Sequence, residues 1–158
     1  MPMARDAETT SRIMASVKRR DTAPELILRR TLHRMGVRYR VDCKNIYGRP
    51  DISISKYKLA VFVDGDFWHG NEHKVRQLSS LEDLFPTNAK FWCTKILENT
   101  ERDKRVNQRL LRDGWTVVRI WASSILKNPN EAAESVYTAL LRLKATHNPM
   151  DPYLGHLS

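Results

Sequence analysis

The chain has 158 residues, enough for one domain with a real hydrophobic core and short for two. Its 41% hydrophobic and 28% charged content is that of a globular protein, and no apolar run approaches the roughly 20 residues of a membrane span. A net charge of +9 points to a polyanionic partner, while two lone cysteines, Cys43 and Cys93, exclude a four-cysteine metal site or a disulfide framework.

The basic charge is concentrated at the start. Residues 1–40 hold ten Lys and Arg against four acids, or +6 of the +9. Such a patch attracts phosphates but names no sequence and no chemistry, and a basic solvated surface looks the same. Residues 1–20 read as a basic arm or short helix, with Ile13, Met14 and Val17 on one side of Ser11–Arg20. Met1–Thr10 has no apolar stretch suited to a signal peptide, so a cytoplasmic protein without membrane contact is expected.

Thr22-Ala-Pro-Glu25 reads as a capping box that opens a helix, with Leu28, Leu32 and Met35 as its apolar stripe and Gly36 at its end. Val37, Tyr39 and Val41 alternate with charged residues, as in a half-buried strand. After the turn at Gly48-Arg49-Pro50, Asp51–Ser55 alternates again, and Leu59–Val63 is a short apolar strand. Ser55–Lys58 links the two as a hairpin. Residues 64–86 read as an irregular excursion. A long helix follows from about Thr87 to Asp113, then Gly114 and a strand over Trp115–Trp121. Asn128–Glu131 caps a final helix that buries Val136, Leu140 and Leu143, and residues 147–158 read as a loose tail. The order αβββαβα gives an α/β domain over residues 21–146, a central mixed sheet flanked by helices.

Three places carry possible chemistry. With the hairpin centred near Tyr57, Asp51 lies opposite Val63, where a carboxylate beside main-chain oxygens offers the hard ligands Mg²⁺ prefers; Asp64 and Asp66 add negative charge beyond. Asp51 as a turn cap after Pro50 is equally open. Phe67 and Trp68 are neighbours in a glycine-flanked loop, so at least one is expected to face out, where it can wedge between bases; a core-anchoring pair is the alternative. His69 follows them, a candidate acid or base near neutral pH or a plain structural histidine. In the long helix, Asn99 and Asp103 interrupt the apolar face traced by Trp92, Ile96, Val106 and Leu110. Asp103 therefore needs a partner, either a histidine whose ring it would orient or an arginine. Glu25 closes the first helical turn, and is able at the same time to present one oxygen to a site.

Taken together, Arg20-Asp-Thr-Ala-Pro-Glu25, Gly48-Arg-Pro-Asp51, Val61–His69, Phe91-Trp92, Asn99–Asp103 and Gly114–Trp121 resemble the very-short-patch repair (Vsr) endonuclease family. The resemblance implies a restriction-endonuclease-like fold over residues 21–146, acting as a monomer on double-stranded DNA. It implies Mg²⁺-dependent nicking of one strand 5′ to the thymine of a T·G mismatch. Residue by residue, it makes Asp51 and the Val63 carbonyl metal ligands and His69 the catalytic histidine, supported by Asp103, with Glu25 an active-site glutamate. Met14, Phe67 and Trp68 fall where the family inserts side chains into the DNA stack, and Arg19, Arg20 and Asn99 join them as expected DNA contacts. The family also implies a structural zinc, but Asp66 and Ser123 stand where cysteines belong, leaving only His73 as a suitable ligand; zinc is therefore not expected. Two other readings stay open: a zinc-free nickase with relaxed or different specificity, and a DNA-binding module without catalysis.

Overall fold

The computed structural model describes residues 20–147; the basic arm with Met14 and Arg19, and the tail beyond residue 147, lie outside them. Helix α1 (Ala23–Arg34) starts at Thr22, whose side chain makes no capping bond. Neither bond of the expected capping box forms. The Glu25 carboxylate reaches past Thr22 to accept the backbone N–H of Asp21 at 2.8 Å, because Asp21 is left-handed (φ 55°) and turns its own amide toward the helix. The helix closes as expected at Gly36 (φ 86°), where the Val37 amide bonds back to the Leu32 carbonyl at 3.0 Å and drops Val37 into the core.

The first expected strand shrinks to β1 (Arg40–Val41), two exposed residues. Tyr39 is drawn away by donating its hydroxyl to the Arg29 carbonyl at 2.7 Å, and Asp42 (φ 50°) turns the chain out of the sheet. Strands β2 (Ile52–Ile54) and β3 (Leu59–Asp64) form the expected hairpin, but one residue out of the expected register. Ile52 faces Val61, Ser53 faces Ala60 and Ile54 faces Leu59. The link is a short 3-10 turn over Ser55–Tyr57 closed by a left-handed Lys58 (φ 50°), so its centre is not Tyr57. Asp51 is thus not directly opposite Val63.

Residues 64–86 hold a single helical turn, α2 (Glu72–Val75), and a 3-10 turn at Leu81–Leu84. The long helix α3 (Ala89–Arg112) buries Trp92, Ile96, Val106 and Leu110, as its periodicity predicts. Strand β4 (Thr116–Trp121) runs parallel to β3 along its whole length, from Leu59 beside Thr116 to Asp64 beside Trp121. A short helix not read from the sequence, α4 (Ala122–Lys127), precedes α5 (Pro129–His147); the latter starts at Asn128, whose side chain accepts the Glu131 amide at 3.2 Å.

The result is one four-stranded mixed sheet, in the order β1-β2-β3-β4, between two layers of helix. Alternation along β3 decides which layer each residue meets. Leu59 and Val61 join Leu28, Leu32, Ile125, Val136 and Leu140 of α1, α4 and α5 on one side. Ala60 and Phe62 join Cys43, Ile46, Val106 and Leu110 under α3 on the other. No helix among the described residues is long and apolar enough to cross a membrane.

Gly48 ties the loop before Asp51 to α3. It is left-handed (φ 78°), and a Cβ there would lie 2.4 Å from Val106 Cγ1. Gly48→Ala should therefore cost about 2 kcal/mol or more in urea unfolding, since strain and overpacking each cost about 1–3 kcal/mol. Adding Val106→Ala should cost less than the sum of the two single changes. Additive costs would show that the two residues do not collide.

Candidate active site

Three carboxylates collect near the carboxyl end of β3. Asp51, just before β2, places Oδ2 2.7 Å from the Val63 amide, which donates to it. Despite the shifted register, the side chain therefore still reaches the main chain of Val63. Burial pushes the Asp51 pKa up to about 6; the Val63 amide opposes this, and the charges of Glu25 and Asp64 add to it. Glu25, on α1, is 4% exposed and accepts from Arg29 (3.2 Å) as well as from Asp21, both on Oε2. Asp64, the last residue of β3, is 6% exposed, and burial raises its pKa too. Like charges held this close, with hard oxygen donors, suit a divalent cation such as Mg²⁺.

Beside them lies a second group, built from β3, β4, α3 and the loop after β3. His69 Nδ1 hydrogen-bonds to Asp103 Oδ2, one of the two kinds of partner the sequence left open for Asp103. Asp64 Oδ1 is 3.8 Å from the same nitrogen. Burial by itself lowers the His69 pKa, but the hydrogen bond to Asp103 and the charges of Asp64 and Asp103 outweigh it, and the net shift is upward. Arg119 of β4 balances the two acids. Its Nη1 donates to both Asp64 oxygens (2.9 and 3.2 Å) and lies 3.5 Å from Asp103 Oδ1. Arg119 Nε donates to Asn107 Oδ1 at 2.7 Å, and the guanidinium stacks over Phe62 at 4.2 Å. Asp64, His69 and Asp103 bring candidate ligand atoms within 4.8 Å of one another, but Arg119 already compensates their charge. Sequence reading missed Arg119 and Asn107. The visible signal was a charged residue inside the apolar run Thr-Val-Val-Arg-Ile-Trp.

The loop that carries His69 is tightly turned, the His69 amide bonding to the Gly65 carbonyl at 3.1 Å. That turn puts the neighbours Phe67 and Trp68 into one aromatic cluster with Phe85 and Trp92, so both anchor a core while both stay only half-buried. Asn99 donates to the Trp68 carbonyl at 3.2 Å, so its polarity on the helix stripe serves the loop. Arg20 pairs with Asp42 at the rim of a pocket of about 290 Å³ that reaches Asp51.

Asp66 does not add charge to the site as expected; it turns toward α4. Its carboxylate accepts the Ser123 hydroxyl (2.6 Å), the Ser123 amide (2.9 Å) and the Asn71 side-chain amide (2.8 Å). The two residues that stand at the zinc-ligand positions thus bond to each other. His73 Nδ1 is buried without a hydrogen-bond partner among the described residues, but with a carboxylate and a hydroxyl at the two other positions the donor set lacks the nitrogen and sulfur ligands of a structural zinc.

Residues 4–75 match the family model described as DNA mismatch endonuclease Vsr. The chain is 40% identical over 126 residues to Type II nicking enzyme V.HpaIIP of Haemophilus parainfluenzae, covering 80% of this chain and 86% of that protein. It is 41% identical over 133 residues to Type II nicking enzyme V.NmeDIP of Neisseria meningitidis serogroup C (84% and 86%). It is 33% identical over 120 residues to DNA mismatch endonuclease Vsr of Escherichia coli (76% and 73%).

The raised pKa of Asp51 makes a stability prediction. Its native pKa of about 6 lies above the ordinary 3.8, so the folded state holds the proton more tightly than the unfolded one. The stabilisation is complete below about pH 4 and is lost as pH rises through about 6. In metal-free buffer, Asp51→Asn and the parent should be similar near pH 4, and the variant more stable by on the order of 2 kcal/mol at neutral pH. Urea unfolding at both pH values checks this; a pH-independent difference would show that Asp51 carries no electrostatic strain.

Proposed function

Because the chain belongs to the Vsr family of DNA mismatch endonucleases, we propose that it nicks one strand of double-stranded DNA by Mg²⁺-dependent hydrolysis, at or beside a T·G mismatch. The observation that carries this reading is the gathering, around the end of β3, of a buried Asp51 bonded to Val63, of Asp64, and of a histidine that lies 3.8 Å from Asp64 and is bonded to Asp103.

Asp51 and the Val63 carbonyl would hold Mg²⁺, with Glu25 beside them; both protein hydrogen bonds of Glu25 fall on Oε2, leaving Oε1 for a bound water. When bound, Mg²⁺ supplies positive charge to the phosphate oxygens and makes a water easier to deprotonate. His69 acts as general base. Its Nδ1–H is committed to Asp103, which fixes the tautomer and leaves Nε2 to take a proton from water as the oxygen attacks phosphorus and the bond to the leaving oxygen breaks. The ionised Asp103 also favours the imidazolium that forms, and Arg119 keeps Asp64 and Asp103 from repelling each other.

Duplex DNA is gripped by Arg19 and Arg20 through its phosphates. Phe67, Trp68 and Met14 enter the stack at the mismatch, where pairing is already poor and unstacking costs least. Packing behind them by Phe85 and Trp92 makes the two aromatics a stiff wedge, which Asn99 steadies through the Trp68 carbonyl. The Asp66–Ser123 bond supports a loop that holds its shape without zinc.

Asp51→Ala should abolish Mg²⁺-dependent nicking of a T·G duplex while changing DNA affinity by less than about threefold, because the phosphate contacts of the basic residues remain. Nicking assays with T·G and fully paired duplexes, beside a binding isotherm in EDTA, measure both quantities. Parental nicking by this variant would remove Asp51 from the metal site.

His69→Ala, Asp103→Ala and the double variant should lose nearly the same rate, about 10²–10⁴-fold each, since paired groups fail together. Single-turnover rates on the T·G duplex decide it. A double loss equal to the product of the single losses would mean that Asp103 does not act through His69.

A further inference from the structure

Asp42 sits where the chain leaves β1, and one carboxylate there holds two arginines. Arg20 Nη1 pairs with Oδ2, and Arg49 Nε donates to Oδ1 at 2.5 Å. All three side chains line the pocket of about 290 Å³ that ends at Pro50 and Asp51. Arg29 lines the same pocket from α1. Its outer nitrogens hold Asp21 (2.7 Å) and Glu25 (3.2 Å), while its buried Nε has no partner among the described residues.

Three residues around the pocket are left-handed, Asp21, Asp42 and Arg49 (φ 55°, 50° and 53°). Asp adopts this region readily, but Arg seldom does. The Arg49 amide closes a turn onto the Ile46 carbonyl at 2.9 Å, and its guanidinium lies at the rim beside Asp51.

We propose that Arg20, Arg29 and Arg49 form a subsite for a DNA backbone phosphate next to the one cut at Asp51, and that Asp42 fills it in the free protein as a carboxylate stand-in. This rests on the nuclease reading of Asp51. A phosphodiester offers two non-bridging oxygens in the fork geometry that guanidinium groups prefer, the same recognition a carboxylate mimics. Arg20 and Arg49 are about half exposed (58% and 52%), so their pairs with Asp42 are of the surface kind that contributes little and exchanges readily. A flexible single strand or a stray anion gains little by displacing Asp42. A duplex seated on the rest of the basic surface brings its phosphate to the pocket and does.

The test is equilibrium binding in EDTA, where no cut product forms, using a short duplex with one T·G pair and its fully paired counterpart over a range of salt. Asp42→Asn keeps the backbone, because Asn tolerates the left-handed region as Asp does. It should bind both duplexes about three- to tenfold more tightly than the parent. Arg49→Gln should weaken binding, and by a larger factor in the Asp42→Asn background, since in the parent Arg49 must first leave the carboxylate. If Arg49→Gln does not fold, Arg20→Gln gives the same comparison from an exposed position. Unchanged or weaker binding by Asp42→Asn, or equal factors in the two backgrounds, would overturn the subsite. Because nicking is not read here, failure leaves Asp51 and His69 in place, and an inactive enzyme that binds as expected leaves the subsite in place.

Discussion

The parallel pairing of β3 with β4 fixes where everything else converges. Six rungs, from Leu59 beside Thr116 to Asp64 beside Trp121, end both strands at the same height. The chain leaving β3 and the chain leaving β4 therefore start side by side, and each carries part of the site: Asp64 and the His69 loop from one, Arg119 and α4 from the other. The antiparallel hairpin brings Asp51 to that same end, because β2 begins where β3 finishes. Helix α3 crosses beneath on the Ala60–Phe62 face, which is why its two polar interruptions, Asn99 and Asp103, meet the loop and not solvent.

That convergence gathers charge that water would otherwise screen. Glu25, Asp51, Asp64 and Asp103 lie close to one another with Arg29 and Arg119 as the nearby cations. Arg119 is committed to Asp64 and Asp103, so Asp51 is left with burial, repulsion, one amide donor and only the charge of Arg29, which is itself bonded to Asp21 and Glu25. The division assigns different chemistry to adjacent carboxylates. Those near Arg119 hold a ring in place, and the one far from it is short of a positive partner. In the proposed function that shortage is what draws the cation in.

The sequence made the helices legible because a stripe of apolar residues at helical spacing survives any packing partner. It also showed that Asp103 needs a partner, a histidine or an arginine, since a carboxylate in such a stripe has to find company, and the structure supplies both His69 and Arg119. It did not show the strand register, which depends on one left-handed residue, Lys58, in a link that polarity alone described. Nor did alternation at Val37–Val41 reveal that Tyr39 would bond to α1 instead of joining the sheet. Arg119 was hidden for another reason: its meaning comes from Asp64, 55 residues away and in contact only once β3 and β4 pair. For Phe67 and Trp68 the sequence left a core anchor and an outward wedge open, because it did not show the tight turn that packs the two rings together.

The Asp66–Ser123 clip joins the loop after β3 to α4 with nitrogen and oxygen atoms alone. A thiolate clamp at the same place would be open to oxidation and to loss of its ion to competing chelators. Carboxylate and hydroxyl have neither weakness. The His69 loop is thereby joined to α4 by bonds that depend neither on the redox state of their surroundings nor on a captured ion.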